Sequence, residues 1–141
     1  MIDATGSSPV FLFVRDPAAS LALHASLRNV FPDVRVFDRS ILGMRHACAM
    51  IRAGESHPCV LVIEQEVRDS ASRRRLALTR EIPELGALRV VVLGGAQDGE
   101  AERSAREDGA DGYLAILPDD PDGIGKALLE FVSVLELARV R

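Results

Sequence analysis

The sequence predicts an α/β domain in which helices cover both faces of a five-stranded parallel sheet. Short apolar runs alternate with amphipathic segments along the chain, a pattern typical of parallel strands joined by helices. Several runs are apolar at every position, as in Val10–Val14 and Val90–Leu93, which indicates strands buried on both faces. A length of 141 residues is sufficient for one such domain with a sizeable core.

Five strands are predicted from these runs and from the turn residues that bound them. Val34–Phe37 alternates between apolar and polar residues and is expected at the edge of the sheet. The third run follows Pro58 and ends at Glu64, and the fourth is closed by Gly94. The predicted strands are residues 10–14, 34–37, 59–63, 90–93 and 113–117.

Five helices are predicted from apolar residues at helical spacing and from start and stop signals. Pro17 fits the first turn of a helix and Ser40 can cap one, whereas Gly54 and Pro83 end the helices before them. Asp119–Asp122 provides acids that favour the N-terminal dipole of the last helix. The predicted helices are about residues 17–30, 40–52, 70–81, 98–107 and 119 to nearly the end of the chain.

The composition limits the classes of function. The net charge is −4 and Lys126 is the only lysine, so we expect no direct nucleic-acid binding by this domain, which would need clustered cations. No apolar run reaches the roughly 18 residues of a membrane span, and residues 1–9 lack the apolar core of a signal peptide. We therefore predict one cytoplasmic domain over residues 1–141, with 1–8 as a flexible tail.

Two cysteines and a repeated His-x-Cys spacing raise the question of a metal site. Cys48 and Cys59 lie in apolar surroundings and are predicted to be buried free thiols. His46 and Cys48 are two residues apart in a predicted helix, so they point about 200° apart around it. That separation argues against a shared zinc ion, and no metal ligands are predicted.

Two stretches resemble a known family. Glu107-Asp108-Gly109-Ala110-Asp111-Gly112-Tyr113-Leu114 is similar to the Glu-x-Gly-Ala-Asp-x-Tyr-Leu run found before the last strand of response-regulator receiver domains. His57–Glu64 resembles the third strand of that family, which ends in the aspartate that accepts a phosphoryl group. The resemblance covers nearly the whole chain. It implies a doubly wound, flavodoxin-like (CheY-like) (βα)5 sheet with strand order 2-1-3-4-5.

The same resemblance implies that the residues needed for phosphotransfer have been lost. A working receiver holds Mg²⁺ with two acids after the first strand, and it carries an acceptor Asp, a Thr or Ser ending the fourth strand and a Lys ending the fifth. Here the acceptor position holds Glu64. The other equivalent positions hold Val14-Arg15 or Arg15-Asp16 for the acids, Gly94 for the hydroxyl residue, Ile116 for the lysine and Tyr113 for an aromatic switch that is retained.

These departures predict a degenerate pseudo-receiver. A guanidinium at an acid position repels a divalent cation, so neither Mg²⁺ nor another cofactor is expected. No catalytic residue is predicted and the chain is not expected to be an enzyme. Arg15 and Glu64 should lie at the ends of neighbouring strands, where an ion pair could fill the place of metal and phosphate. The alternative is that both are solvated and contribute little.

The implied function is a phosphorylation-independent interaction or signalling module of a two-component-type pathway, with another signalling protein as its partner. The alternative is the N-terminal regulatory or dimerisation domain of a transcriptional response regulator whose output domain is absent from this sequence. A third possibility is a small-molecule binder or enzyme on the same fold. Because the family often dimerises through its last strands and helices, a homodimer would use Ala101, Ala105, Tyr113 and the exposed side of the last helix.

Overall fold

One parallel sheet organises the chain, for which a computed structural model describes residues 9–16, 20–55, 57–64, 70–86, 88–94, 99–115 and 123–140. The strands are β1 (Val10–Val14), β2 (Val34–Asp38), β3 (Val60–Glu64), β4 (Val90–Gly94) and β5 (Gly112–Ala115). They lie in the order β2-β1-β3-β4-β5, and each pair of neighbours is parallel. The predicted fold class and strand order are confirmed.

The strand ends differ from the prediction at the two positions that matter most. Glu64 pairs with Leu93, and Gly94 pairs with Ala115, so both are the last residues of strands rather than the first residues of loops. Backbone groups form the ladder, and a polar or absent side chain does not by itself end it. Residues 116 and 117 of the predicted fifth strand lie outside the described residues.

The described helices include one that the sequence did not predict. They are α1 (Leu21–Arg28), α2 (Ile41–Arg52), α3 (Ser70–Glu81), α4 (Pro83–Gly86), α5 (Gly99–Glu107) and α6 (Gly123–Val140). Pro83 follows the end of α3 as expected, but it also starts the single turn α4, because proline fits the first turn of a helix. The predicted helix starts at 17 and 119 lie outside the described residues. Among the helices described, none is both long enough and apolar enough to cross a bilayer.

The sheet divides the core into two layers. Alternate residues of a strand point to opposite faces, so Phe11 and Phe13 pack with α2, α3, α4 and α5, whereas Val10, Leu12 and Val14 pack with α1 and α6. All five of these side chains have 0% exposure. The uninterrupted apolar run of β1 is thus explained by burial on both faces, and the doubly wound arrangement is confirmed.

The inner side of α5 corrects one prediction. Ala101 and Ala105 retain only 3% and 2% of their surface, so they belong to the core and cannot form the exposed dimer face expected from the sequence. The helix is amphipathic: alanines face the core, and the outer side carries exposed charges such as Glu102 and Arg106. Small residues on the inner side let the helix approach the sheet closely.

A charged network joins the elements at the amino-terminal ends of β4 and β5. Oδ2 of Asp111 accepts hydrogen bonds from Nη2 of Arg80 at 2.7 Å and from the backbone N–H of Val90 at 2.8 Å. Arg80 also donates from Nε to the carbonyl of Gly109 and from Nη1 to that of Leu88, both at 2.7 Å. The network ties α3 to the start of β4 and to the turn before β5. Asp111, which belongs to the stretch similar to receiver domains, therefore has a structural role.

We predict that Asp111→Ala lowers the free energy of unfolding by about 2–4 kcal/mol, because it removes the acceptor of Arg80 and of the Val90 N–H. Urea denaturation followed by circular dichroism measures the change. Glu102→Ala is the control, since it removes an exposed pair with Arg106 and should cost less than about 0.5 kcal/mol. Equal losses for the two variants would show that the network does not hold these elements together.

Candidate functional site

Three positions that the resemblance singled out, Arg15, Glu64 and Gly94, lie at the carboxyl-terminal edge of the sheet, where ligands bind in open α/β folds. Glu64 ends β3, Gly94 ends β4, and Arg15 directly follows β1. Because β3 lies between β1 and β4, Glu64 is in the middle of the three. Ile116, the lysine-equivalent position, lies outside the described residues.

The carboxylate of Glu64 reaches towards the end of β1. Its Oε1 accepts a hydrogen bond from the backbone N–H of Arg15 at 3.0 Å. This contact is made by the backbone of Arg15. The ion pair predicted from the sequence would use its guanidinium group, and that pair stays a prediction. The carboxylate therefore has a charge-assisted hydrogen bond to the chain just beyond the end of β1.

The structure bears on the two acid pairs that the sequence left open. Val14 is the last residue of β1, is fully buried and packs in the core layer with α1 and α6. Arg15 and Asp16 lie beyond the strand and are both exposed, and the carbonyl of Asp16 accepts a hydrogen bond from the Ser20 hydroxyl at 3.0 Å. Arg15-Asp16 is therefore the pair with both side chains accessible at this edge.

A second arginine, which the sequence reasoning missed, lies at the same edge. Arg39 directly follows β2 and is only 6% exposed. Its Nη1 donates a hydrogen bond to the backbone carbonyl of Glu64 at 2.7 Å, and its backbone N–H donates to the carbonyl of Val14 at 2.9 Å. The side chain thus passes from β2 over the end of β1 to β3. Its only signal in the sequence is a cation two residues after the predicted strand 34–37.

Gly94 and Tyr113 lie against each other. Tyr113 pairs with Val92, two residues before Gly94, and its half-buried ring packs on the core layer beneath α5. A Cβ added to Gly94 would contact the Tyr113 hydroxyl and would lie 2.7 Å from Cε2 and from Cζ of the ring. The ring therefore occupies the volume that a side chain at position 94 would need.

Two oxygen atoms of Glu64 at this edge already accept hydrogen bonds from the chain. Mg²⁺ requires oxygen ligands, whereas Glu64 has a carboxylate oxygen bound to the Arg15 N–H and a carbonyl bound to the guanidinium of Arg39. A buried cation beside the site also repels a divalent ion. Within the described ranges, no group of three or more His, Cys, Asp or Glu side chains could hold a metal ion.

A separate cavity of about 630 Å³ lies between α2 and the end of α3, and Met44, Cys48 and Ile82 are among its lining residues. Burial raises the pKa of the Cys48 thiol, and the charge of Glu84 raises it further. The thiol is therefore protonated at neutral pH and is not an activated nucleophile. Cys48 and Cys59 are both free, and Cys48 is buried as predicted, whereas Cys59 is only partly buried.

Solved structures similar to this one are response-regulator receiver domains. The phosphorylated cyanobacterial phytochrome response regulator RcpA matches with a TM-score of 0.67 and 19% identity, over 88% of this chain and 92% of that chain. The receiver domain of the Francisella response regulator 1452 matches with a TM-score of 0.63 and 16% identity, over 92% and 99% of the chains. The Mn²⁺-bound response regulator Rcp1 matches with a TM-score of 0.62 and 17% identity, over 88% and 93%.

The chain has the receiver-domain fold. No protein-family model matches the sequence, and no curated protein matches it. At sequence identities below one fifth, the similarity to these three structures establishes the architecture alone. The function of this receiver-like domain depends on the residues at the carboxyl-terminal edge of its sheet, called the functional edge below.

We predict that Arg39→Gln lowers the free energy of unfolding by about 1–3 kcal/mol, because the carbonyl of Glu64 loses a charge-assisted hydrogen bond. Thermal and urea unfolding measure the loss. Arg35→Gln, on β2, is the matched control, since its pair with Asp33 is exposed and should contribute less than about 0.5 kcal/mol. An Arg39→Gln variant as stable as Arg35→Gln would contradict a structural role for the buried guanidinium.

Proposed function

We propose that this chain is a pseudo-receiver, a phosphorylation-independent interaction or signalling module of a two-component-type pathway. The observation that supports this most strongly is the contact between Arg39 and the backbone carbonyl of Glu64. The guanidinium puts a protein cation beside Glu64, at the edge of the sheet where a phosphotransfer site would hold a metal cation. The edge is then held together by the chain itself and needs no metal or phosphoryl group.

The acceptor position supports the same proposal. Glutamate is one methylene longer than aspartate, so its carboxylate is displaced by roughly an ångström from the place of the acceptor, and such a displacement strongly slows in-line attack. Here one of its oxygens is also engaged by the backbone N–H of Arg15. A nucleophile that is both displaced and hydrogen-bonded elsewhere is poorly arranged to attack phosphorus.

The two remaining positions offer no compensation. Gly94 has no hydroxyl to donate to a phosphoryl oxygen, and the ring of Tyr113 fills the space beside it. Ile116 cannot supply the positive charge of a lysine, an argument that rests on its identity alone. Residues that act as one catalytic unit are strongly non-additive, so the loss of several together predicts loss of the reaction.

The surface near β5 is where we propose that a partner binds. β5 is one of the two edge strands of the described sheet, and Tyr113, Leu114 and Ala115 on it are partly exposed. On α6, Lys126 is exposed and Val134 retains 64% of its surface. The partner is proposed to be another signalling protein or a second copy of the chain. The net charge of −4 does not favour nucleic acid.

We predict that the purified chain takes up no phosphoryl group from acetyl phosphate in the presence of Mg²⁺. Intact-mass spectrometry should show only the unmodified protein under conditions in which a working receiver is stoichiometrically modified. The physical reason is that the carboxylate of Glu64 is displaced and engaged by a backbone donor. A stoichiometric phosphoryl adduct on the chain would contradict the proposal.

Glu64→Asp is the matched variant for this experiment. It restores the acceptor and leaves Arg39, Gly94 and the other departures unchanged, so it should also remain unmodified. Rapid phosphorylation of Glu64→Asp would show that a single methylene blocks the reaction and that the rest of the site is competent.

A further inference from the structure

The backbone at Gly94 does not require glycine. Among the described residues, positive φ angles occur at Gly54 and Gly109, and Gly94 is not one of these positions. Gly94 is the last residue of a regular strand, where a residue with a side chain is normally favoured over glycine. What glycine provides here is empty volume above the strand, and the ring of Tyr113 fills it.

We infer that Gly94 and Tyr113 form a steric lock that holds the aromatic ring inward and gives the β5 edge a single shape. The ring and a side chain at position 94 exclude each other, because even a methyl group would overlap the ring. Packing of the ring on the core layer favours the inward position, since an outward ring would leave a void over Val92 and Gly94. Because Gly94 has no side chain, no group at position 94 can enter the volume of the ring and push it outward.

The lock concerns the same surface as the proposed partner site. Tyr113 lies on the edge strand β5, and α5 packs on that strand, so the position of the ring affects the surface that a partner would meet. The biological meaning of the lock rests on the proposed function, because a surface of fixed shape is useful only to a partner that binds without phosphorylation. The lock itself is a property of packing and can be tested separately.

A double-mutant cycle measures the lock. We expect Gly94→Ala to lower the thermal midpoint Tm by roughly 4–10 °C, the effect of overpacking a domain of this size. In the Tyr113→Ala background the same substitution should leave Tm unchanged or raise it by a few degrees, because alanine restricts the unfolded chain. If Gly94→Ala alone fails to fold, the double variant should fold again, since the steric conflict is absent.

Gly99→Ala is the control for replacing glycine by alanine. A Cβ at Gly99 has no atom within 4 Å, so this variant should not lose stability in either background. Additive effects of Gly94→Ala and Tyr113→Ala would overturn the lock, and so would a double variant clearly less stable than Tyr113→Ala alone.

The fluorescence of Tyr113 provides a second measurement. The chain contains one tyrosine and no tryptophan, so its intrinsic emission reports this ring alone. Acrylamide should quench the emission more strongly in Gly94→Ala than in the wild-type chain or in Gly99→Ala. Equal quenching in all three would overturn the inference.

Failure of the lock and failure of the proposed function give different results. A chain that accepts a phosphoryl group but shows coupling between Gly94 and Tyr113 would contradict the proposed function and support the lock. An unmodified chain with additive effects at the two positions would support the proposed function and overturn the lock.

Discussion

The hydrogen bond from the buried guanidinium of Arg39 to the carbonyl of Glu64 is the interaction on which the functional edge depends. It links the end of β2 to the end of β3 across β1. Two backbone donors add to it: the N–H of Arg39 donates to the carbonyl of Val14, and the N–H of Arg15 donates to the carboxylate of Glu64. A buried charge requires such partners, since an unpaired one is strongly destabilising. These contacts engage one carboxylate oxygen and the backbone carbonyl of Glu64.

The two ends of the sheet have different roles. At the amino-terminal end, Asp111 and Arg80 tie β4 and the start of β5 to α3 through charge-assisted hydrogen bonds. Asp111 belongs to the stretch that most resembles receiver domains, and its contacts concern architecture. At the carboxyl-terminal end the chain departs from that family at Glu64 and Gly94. The fold can therefore be retained when the residues at the opposite edge change, because different residues support each.

Much of the fold could be predicted because burial on both faces of a parallel sheet demands uninterrupted apolar runs such as Val10–Val14. The single turn α4 could not be predicted, because it is too short to show periodicity. The sequence showed that position 94 lacks the hydroxyl residue of the family. Only the packing shows that the ring of Tyr113 occupies the volume of a side chain at that position. Arg39 was missed for a related reason: the path of a long side chain beyond a strand end depends on neighbours that are distant in sequence.

We propose that the guanidinium of Arg39 and the N–H of Arg15, through their contacts with Glu64, take the place of the metal and phosphoryl group at this edge. Titration of the ¹⁵N-labelled chain with Mg²⁺, followed by beryllofluoride as a phosphoryl analogue, tests it most directly by amide NMR. The account predicts that the amide resonances of Arg15, Glu64 and Tyr113 keep their positions throughout, apart from a uniform effect of ionic strength that a matched sodium chloride titration reproduces. Saturable Mg²⁺-dependent shifts centred on Glu64, extended to β5 by beryllofluoride, would contradict it.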